Sequence, residues 1–258
     1  MNKKHFTAIV LSAGKGNRMH SDIPKQYMDM LGYPVIYYAL KAFEESRVDD
    51  VILVTGAEDV AFCTENIVQK YHLTKVKDVV PGGAERYLSV LEGLKKAQNA
   101  DYVLIHDGAR PMISAEDIEK SMQMVEQEDA CVLATPVKDT IKIVKKGYVT
   151  DTPDRDTLWA MQTPQSFSTE LLRNAYIQLE TKQKKEKIVP NITDDAMIVE
   201  YMTGHKIRII PGNYANIKIT TPEDLAIAEM FLKKKKNKRN KRSRNVNLSR
   251  IIYRGKYN

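Results

Sequence analysis

Short apolar runs alternate with helical patterns through most of the chain. Five runs of about five residues are mainly apolar, which is typical of strands buried on both faces of a sheet. These predicted strands are 7–11, 51–55, 76–80, 102–106 and 130–134, and helical spacing of apolar residues lies between them at 35–45, 57–71, 85–97 and 115–127. The alternation predicts an α/β fold with a doubly wound, mostly parallel sheet covered by helices.

The pattern changes after Pro136. Residues 138–158 carry alternating apolar positions around Lys146-Gly147, which indicates a hairpin, followed by a stretch rich in Pro and Asp. We predict a β arm that protrudes from the sheet, and because a lone hairpin buries little surface, we expect it to pack on another subunit. Further along we predict helices at 169–183, 194–203 and 222–232, a strand at 206–210 and a late strand at Asn-Ile-Lys, 216–218.

Charge is distributed unevenly along the 258 residues. The formal net charge is +7, from 40 Lys+Arg and 33 Asp+Glu. Residues 233–258 hold twelve of the basic residues and no acidic one, which leaves 28 basic against 33 acidic residues in 1–232. The chain thus divides into a mildly acidic folded body, 1–232, and a basic low-complexity tail, 233–258.

A basic tail suits salt-dependent nucleic-acid binding, so a nucleic-acid-binding protein is one alternative. A solvated extension is the simpler interpretation, and we do not expect the tail to bind nucleic acid.

Several classes of protein are excluded by composition. No stretch reaches the roughly 18 consecutive apolar residues of a membrane span. The first strand pattern follows Met1 closely, without the apolar region of a secretory leader, so we expect a soluble, cytoplasmic protein. Cys63 and Cys131 lie far apart and outside metal-binding spacings, so we expect neither a disulfide framework nor a zinc site.

A glycine-containing loop follows the first predicted strand, with the sequence SAGKGNRM at residues 12–19. Its two glycines leave backbone N–H groups accessible to a phosphate. A Rossmann loop needs a third glycine where Met19 stands, and a Walker loop needs Gly-Lys-Ser/Thr, so the loop matches neither motif. Lys25 follows Pro24 near the same strand end, where open α/β sheets bind ligands. These residues alone leave two interpretations open: a phosphate site, or a plain turn with a solvated lysine, which is the simpler of the two.

Seven ordered blocks in the body resemble the 2-C-methyl-D-erythritol 4-phosphate cytidylyltransferases, enzymes of the non-mevalonate isoprenoid pathway. The blocks are AGKGNRM (13–19) with PKQY (24–27), GGAER (82–86) with SV (89–90), IHDGARP (105–111), PVKDTIK (136–142), QTPQ (162–165), TDDA (193–196) and NIKIT (216–220). The resemblance spans residues 7 to about 232 and implies a Rossmann-like nucleotidyltransferase fold. It makes 1–232 a cytidylyltransferase domain and leaves the tail outside.

The resemblance also implies a reaction. The phosphate of a sugar alcohol attacks the α-phosphorus of CTP, and pyrophosphate leaves. A phosphate monoester is largely dianionic at neutral pH and needs no general base, which agrees with a sequence that offers no Ser/His or His/Asp arrangement. The reaction needs cations around a polyanion instead. By resemblance, the catalytic residues are Arg18, Lys25 and Lys218, which contact the triphosphate and stabilise charge at the α-phosphorus.

Nucleotide and metal binding are implied in the same way. The CTP-binding residues would be Ala13, Gly14, Gly16, Gly83, Ser89, Asp107 and Gly108. Asp107 would also be a ligand of Mg²⁺, the expected cofactor, which often uses only one or two protein carboxylates. Two positions depart from the family pattern: Gly108 stands where Ala is usual, and Ala215 where an acid is common. Metal binding would therefore rest on Asp107, the phosphates and water.

Acceptor binding is implied for Thr140, Arg155 and Thr193. The first two would reach the acceptor bound in the partner subunit, so the resemblance implies a homodimer with a composite site. Thr193 precedes Asp194-Asp195 and is also a good candidate for a helix N-cap. The nearest alternative is a ribitol-5-phosphate cytidylyltransferase, which has the same fold and chemistry. Blocks 106–111, 138–142 and 193–196 look more like the methylerythritol enzyme.

Overall fold

A twisted central sheet with helices on both faces forms the body of the protein. The computed structural model describes residues 3–14, 19, 23–186, 191–235 and 237. Its strands are β1 Phe6–Ser12, β2 Asp29–Met30, β3 Tyr33–Pro34, β4 Asp50–Thr55, β5 Val76–Pro81, β6 Tyr102–Asp107, β7 Ala130–Pro136, β8 Ile143–Lys145, β9 Tyr148–Asp151, β10 Trp159–Ser168 and β11 Arg208–Pro211. Its helices are α1 Val35–Glu45, α2 Val60–Cys63, α3 Arg86–Lys96, α4 Ala115–Glu128, α5 Thr169–Glu186, α6 Asp195–Thr203 and α7, residues 222–235.

Within the described residues, the central sheet has the strand order β11-β7-β10-β6-β1-β4-β5. Strand β1 runs parallel to β4 and β6, β4 is parallel to β5, and β7 is parallel to β11. Strand β10 is antiparallel to both of its neighbours, β6 and β7. The predicted doubly wound, mostly parallel sheet is confirmed, with β10 as an additional strand that the hydrophobic pattern did not indicate.

Both faces of the sheet are buried, as the continuous apolar runs predicted. Val10 packs into a cluster with α1 and α4, whereas Ile9, its neighbour in β1, packs into a second cluster with α3, α5 and α6. Helix side chains in these clusters include Leu40, Phe43, Ile118 and Met122 on the first face and Leu94, Leu172, Leu179 and Ile198 on the second. Since alternate residues of a strand point to opposite faces, β1, β4, β6 and β7 contribute to both clusters.

The predicted helix 57–71 has a different form. A 3₁₀ turn at Ala57–Asp59 leads into α2, and a π-type turn follows at Thr64–Gln69. The amide of Lys70 donates to the carbonyl of Glu65, five residues earlier, at 3.1 Å. Cys63 and Ile67 are buried along this segment, so the wider turn keeps its apolar residues on the sheet.

The hairpin of β8 and β9 lies outside the central sheet, at the place predicted for the arm. Lys146 and Gly147 have φ values of 50° and 84°, the left-handed pair that two-residue hairpin turns favour. All residues of both strands are exposed, including Val144, Tyr148 and Val149.

The end of the body departs from the prediction in two places. Residues 216–218, which we expected to form a strand, are irregular, although Asn216 is buried. Helix α7 continues to residue 235, past its predicted end at 232. Residues 238–258 of the basic tail lie outside the described residues, so the expectations for them stay predictions.

Candidate active site

A cavity opens where the carboxyl ends of the parallel strands β1 and β6 meet. Leu11 pairs with Asp107 in the register of these strands, so the loop after β1 and the end of β6 face the same space. Of the residues that sequence reasoning selected, those that line the cavity are Ala13, Gly14, Lys25, Gly83, Ser89, Asp107 and Lys218. Two others, Gly16 and Arg18, lie outside the described residues.

Gln26 ties the start of the glycine loop to the turn that carries Lys25. Its side chain is 3% exposed, and its Nε2 donates to the carbonyls of Ser12 at 2.7 Å and Gly14 at 3.3 Å. Lys25 is the first residue of a 3₁₀ turn, Lys25–Tyr27, and therefore takes its position from this buried neighbour. The next residue of the turn, Tyr27, hydrogen-bonds Thr55 at the end of β4 with a distance of 2.6 Å.

The Gly82-Gly83 turn lies between the loop after β1 and helix α3, and Gly83 lines the cavity. A Cβ at Gly83 would lie 2.4 Å from Cβ of Leu88, and one at Gly82 would lie 2.7 Å from Cβ of Ala13. Both contacts are too short for a side chain, so glycine allows α3 to approach the loop after β1. The Ser89 hydroxyl accepts from the amide of Gly83 at 3.2 Å and is buried, so it holds this turn.

Asp107 is the centre of charge in the cavity. Its Oδ2 lies 3.0 Å from Lys218 Nζ and 3.6 Å from Arg110 Nε, and its Oδ1 lies 3.5 Å from Arg86 Nε. Burial alone would raise the pKa of this carboxyl, but the surrounding cations outweigh burial and hold the pKa well below its usual range. The group is therefore a carboxylate throughout the neutral pH range.

Arg110 fastens the irregular segment that carries Lys218 to the end of β6. Its Nη1 donates to the carbonyl of Asn216 at 2.8 Å, and its Nη2 donates to the carbonyl of Met161 at 3.3 Å. The amide of Ile219 donates to the carbonyl of Ala109 at 2.8 Å. These bonds explain how a segment outside the sheet can place Lys218 beside Asp107.

His106 precedes Asp107 in β6 and lies in the protein interior, outside the cavity lining. It is fully buried, and burial lowers its pKa to about 4, so the ring is neutral at pH 7. Its Nε2 lies 3.2 Å from the carbonyl of Arg110, which can only accept, so this nitrogen carries the proton. Thr163 Oγ1 then donates to Nδ1 at 3.0 Å and accepts from the amide of Asp107 at 3.0 Å. The chain of bonds fixes the backbone at Asp107.

Gly108 lies beside the cavity lining and packs against the end of β1. Its amide donates to the carbonyl of Leu11 at 2.8 Å. A Cβ added at Gly108 would meet that same oxygen at 2.9 Å and Ile36 Cδ1 at 3.1 Å. The backbone here is thus closer than an alanine would allow without a small shift.

The three residues implied in acceptor binding do not line this cavity. Thr140 and Arg155 are exposed, on the segment that carries the arm. Thr193 is also exposed, and the expectation that it caps the helix was wrong: the cap is Asp194, whose Oδ1 accepts from the amide of Met197 at 3.0 Å. Asp194 takes the N-cap position because its Oδ2 also accepts a hydrogen bond from the buried Gln165 Nε2 at 2.8 Å, which fixes the orientation of its side chain.

The donor atoms of the cavity limit how a metal ion could bind there. In the part of the chain that the structure describes, no three His, Cys, Asp or Glu side chains form a ready metal cluster. Among the lining residues there, the carboxylates are Glu85 and Asp107, and Asp107 already faces three cations. This donor set fits a Mg²⁺ ion that arrives with a triphosphate and keeps phosphate oxygens and water as most of its ligands. It does not fit a metal held by the protein alone.

Arg86 and Arg110 are two charged residues of the site to which sequence reasoning gave no role. Arg86 lies in the block GGAER and Arg110 in the block IHDGARP, but nothing in the local sequence indicates which carboxylate each arginine will pair with.

Among the described residues, no helix is long and apolar enough to cross a membrane.

Comparison with known proteins decides the family. The sequence profile of the 2-C-methyl-D-erythritol 4-phosphate cytidylyltransferases matches residues 6–234. The chain belongs to this family. The cytidylyltransferase of Lachnoclostridium phytofermentans is 49% identical over 228 residues, which cover 88% of this chain and 96% of that relative. That of Alkaliphilus oremlandii is 45% identical over 241 residues, 92% of this chain and 99% of the relative.

Solved structures of cytidylyltransferases have the same fold. The 4-diphosphocytidyl-2C-methyl-D-erythritol synthase of Anaerococcus prevotii superposes with a TM-score of 0.76 at 34% identity, covering 89% of this chain and 96% of that one. The Francisella tularensis cytidylyltransferase superposes with a TM-score of 0.70 at 29% identity, covering 88% and 99%. These relatives carry the methylerythritol name, so the ribitol phosphate alternative is not favoured.

Proposed function

We propose that this cytidylyltransferase transfers the cytidylyl group of CTP to 2-C-methyl-D-erythritol 4-phosphate, giving 4-diphosphocytidyl-2-C-methyl-D-erythritol and pyrophosphate in isoprenoid precursor synthesis. The observation that carries the proposal, beside family membership, is the composition of the cavity. Lys25 and Lys218 line it from two sides, with a glycine loop at the end of β1 and a charged carboxylate at the end of β6. This is an arrangement for a polyanion whose charge must be stabilised.

The mechanism follows from the charges. The acceptor phosphate is already a nucleophile at neutral pH, so the protein has to position it and to stabilise the added charge on the α-phosphorus. Lys218 Nζ can exchange Asp107 for a phosphate oxygen, since the lysine side chain is 38% exposed. Lys25 faces the same space from the turn after the glycine loop. By family resemblance Arg18 adds a third cation. Magnesium, when bound through Asp107, would neutralise charge on the triphosphate and favour departure of pyrophosphate.

Acceptor recognition is proposed to use two subunits. Thr140 and Arg155 are exposed and away from the cavity of their own chain, and the hairpin beside them presents exposed apolar side chains such as Val144 and Val149. A homodimer in which each arm packs on the partner would bury these side chains and bring Arg155 to the partner's cavity. Arg155 suits a phosphate because its planar fork binds two oxygens at once. Both substrates are phosphorylated intermediates, which supports a cytoplasmic location.

Acceptor competition tests the function. The full chain is incubated with CTP and Mg²⁺ and with either 2-C-methyl-D-erythritol 4-phosphate or ribitol 5-phosphate, and pyrophosphate release is followed. We expect the methylerythritol phosphate to be used with the higher kcat/KM. Faster turnover of ribitol 5-phosphate would contradict the assigned acceptor, and replacement of CTP by UTP without loss of rate would contradict the assigned nucleotide.

Subunit complementation tests the shared site. Lys25→Ala should abolish most turnover without unfolding the protein, and Arg155→Ala should mainly weaken use of the acceptor. A mixed dimer of the two variants contains one site with neither substitution, so mixing should restore part of the activity. Absence of recovery, with subunit exchange shown by native mass spectrometry, would contradict a site built from both chains.

A further inference from the structure

Arg86 stands between two carboxylates that belong to different parts of the molecule. It is the first residue of α3, three positions after Gly83, and it lines the cavity. Its Nη1 lies 2.8 Å from Asp195 Oδ2, and its Nε lies 3.5 Å from Asp107 Oδ1. One guanidinium therefore links the end of β6 to the first turn of α6.

Asp195 is a fixed anchor for this link. Its side chain is completely buried, and its Oδ1 accepts from the Tyr176 hydroxyl at 2.9 Å. Its backbone amide donates to Gln165 Oε1 at 3.0 Å. Burial opposes charge on Arg86, but the carboxylates of Asp195 and Asp107 outweigh it and raise the pKa of the guanidinium. Arg86 thus stays charged and remains paired with Asp195, which is buried and held by hydrogen bonds.

The three cations around Asp107 differ in what else they do. Lys218 is the one suited to leave Asp107 for a phosphate, and Arg110 also holds two backbone carbonyls. The other partner of Arg86 is the buried carboxylate of Asp195, which does not line the cavity. If a nucleotide draws Lys218 away, Arg86 and Arg110 remain beside Asp107, and of these two Arg86 is the one that also pairs with a buried carboxylate.

We propose that Arg86 is a positioning residue for nucleotide binding: it holds the Asp107 carboxylate in place by bracing it against the buried Asp195. The inference rests on the proposed function, because it assigns Asp107 to the nucleotide side of the site. A purely structural role for Arg86 makes a different prediction. In that case its only task would be to neutralise Asp195, and a variant that removed both charges would bind CTP normally.

Three variants separate these roles. Arg86→Met leaves the buried carboxylate of Asp195 without its cation, so this variant should lose thermal stability. Adding Asp195→Asn to it removes that charge and keeps an oxygen for the Tyr176 hydroxyl, so the melting temperature should return toward that of the parent. Asp195→Asn alone keeps Arg86 charged beside Asp107 and removes only the negative charge with which Arg86 pairs at its other end.

Binding of CTP with Mg²⁺ in the absence of acceptor is measured by calorimetry on each full-length protein, and kcat and both KM values are measured with acceptor. In the stable double variant we expect the CTP dissociation constant to rise about tenfold or more, which corresponds to ~1.4 kcal/mol. We expect KM for the acceptor to change by less than about threefold, a difference of well under 1 kcal/mol. Asp195→Asn alone should weaken CTP binding less than either variant that lacks Arg86.

Two results would overturn the inference while leaving the function intact. One is parental CTP affinity in the double variant, which would make Arg86 structural. The other is parental CTP affinity in Asp195→Asn, which would show that the position of Asp107 does not depend on Asp195. A parent protein that bound no CTP at all would contradict the proposed function itself, and the inference with it.

Discussion

The variant Arg110→Leu tests whether Arg110 positions Lys218 for catalysis in addition to stabilising the fold. Arg110 donates to the carbonyls of Asn216 and Met161, and its side chain is 12% exposed. A hydrogen bond from a charged group contributes about 1.5–3 kcal/mol. Because Asp107 keeps two other cations, we expect a net loss of about 3 kcal/mol, the weight of one to two such bonds. In a chain of this size that lowers the melting temperature by roughly 6 °C.

The effect on catalysis should be larger than the stability loss accounts for. Without Arg110, the segment of residues 216–219 is no longer fastened to the end of β6, and Lys218 shifts relative to Asp107. A displacement of about 1 Å at a reacting group can cost ~100-fold in rate. We therefore expect kcat to fall about 100-fold at a temperature where the variant is fully folded, measured as pyrophosphate release with saturating CTP and acceptor.

Arg173→Leu is the matched control. Arg173 also holds two backbone carbonyls with its guanidinium, those of Leu94 at 3.3 Å and Ala97 at 3.0 Å, but it does not line the cavity. It should lose stability to a similar extent and keep the parental kcat. If both variants lost kcat equally, or if Arg110→Leu kept its kcat while melting earlier, the positioning of Lys218 by Arg110 would be refuted.

Three further predictions address other parts of the structure. Lys218→Met should lower kcat about 100- to 1000-fold while the circular dichroism melt stays near that of the parent, and a loss confined to KM would contradict its role in the transition state. Asp224 Oδ2 accepts from the amides of Thr220 and Thr221, and although burial alone would raise the pKa of its carboxyl, these bonds lower it. Its stabilisation is therefore present above the unfolded-state pKa and lost as pH falls, so the urea stability gap between parent and Asp224→Asn should shrink from pH 6 toward pH 3; a constant gap would contradict this sign. Val144→Asp combined with Val149→Asp should give monomers in sedimentation velocity, whereas an unchanged dimer would exclude the hairpin from the interface.

The sheet was predictable because its parallel strands are buried on both faces. Such strands appear in a sequence as mainly apolar runs, and all five predicted strands are present in the structure, with ends that differ by at most two residues. Helix α1 has the predicted bounds. Strand β10 was missed because its sequence, WAMQTPQSFS, is polar and contains Pro164, which usually argues against an inner strand. The pairing tolerates the proline by a register shift between Met161 and Gln165, a tertiary feature that no local pattern shows.

The site was predictable only in part, for a similar reason. Asp107 could be placed from the strand pattern, because the carboxyl ends of parallel strands meet at one edge of the sheet. The proximity of Lys218 came from family resemblance, since its segment is held by Arg110 and not by the sheet. The ion pair of Arg86 with Asp195 joins residues distant in sequence and depends on the packing of α6. Hydrophobic periodicity places backbones, whereas these side-chain links depend on the whole fold.

The most direct test of the central claim is product identification by ³¹P NMR after incubation of the full chain with CTP, Mg²⁺ and 2-C-methyl-D-erythritol 4-phosphate. The account predicts that the resonance of the acceptor phosphomonoester disappears and that signals of a diphosphodiester and of pyrophosphate appear in equal amounts. Unchanged CTP, or CMP and pyrophosphate formed without any diphosphodiester, would contradict it.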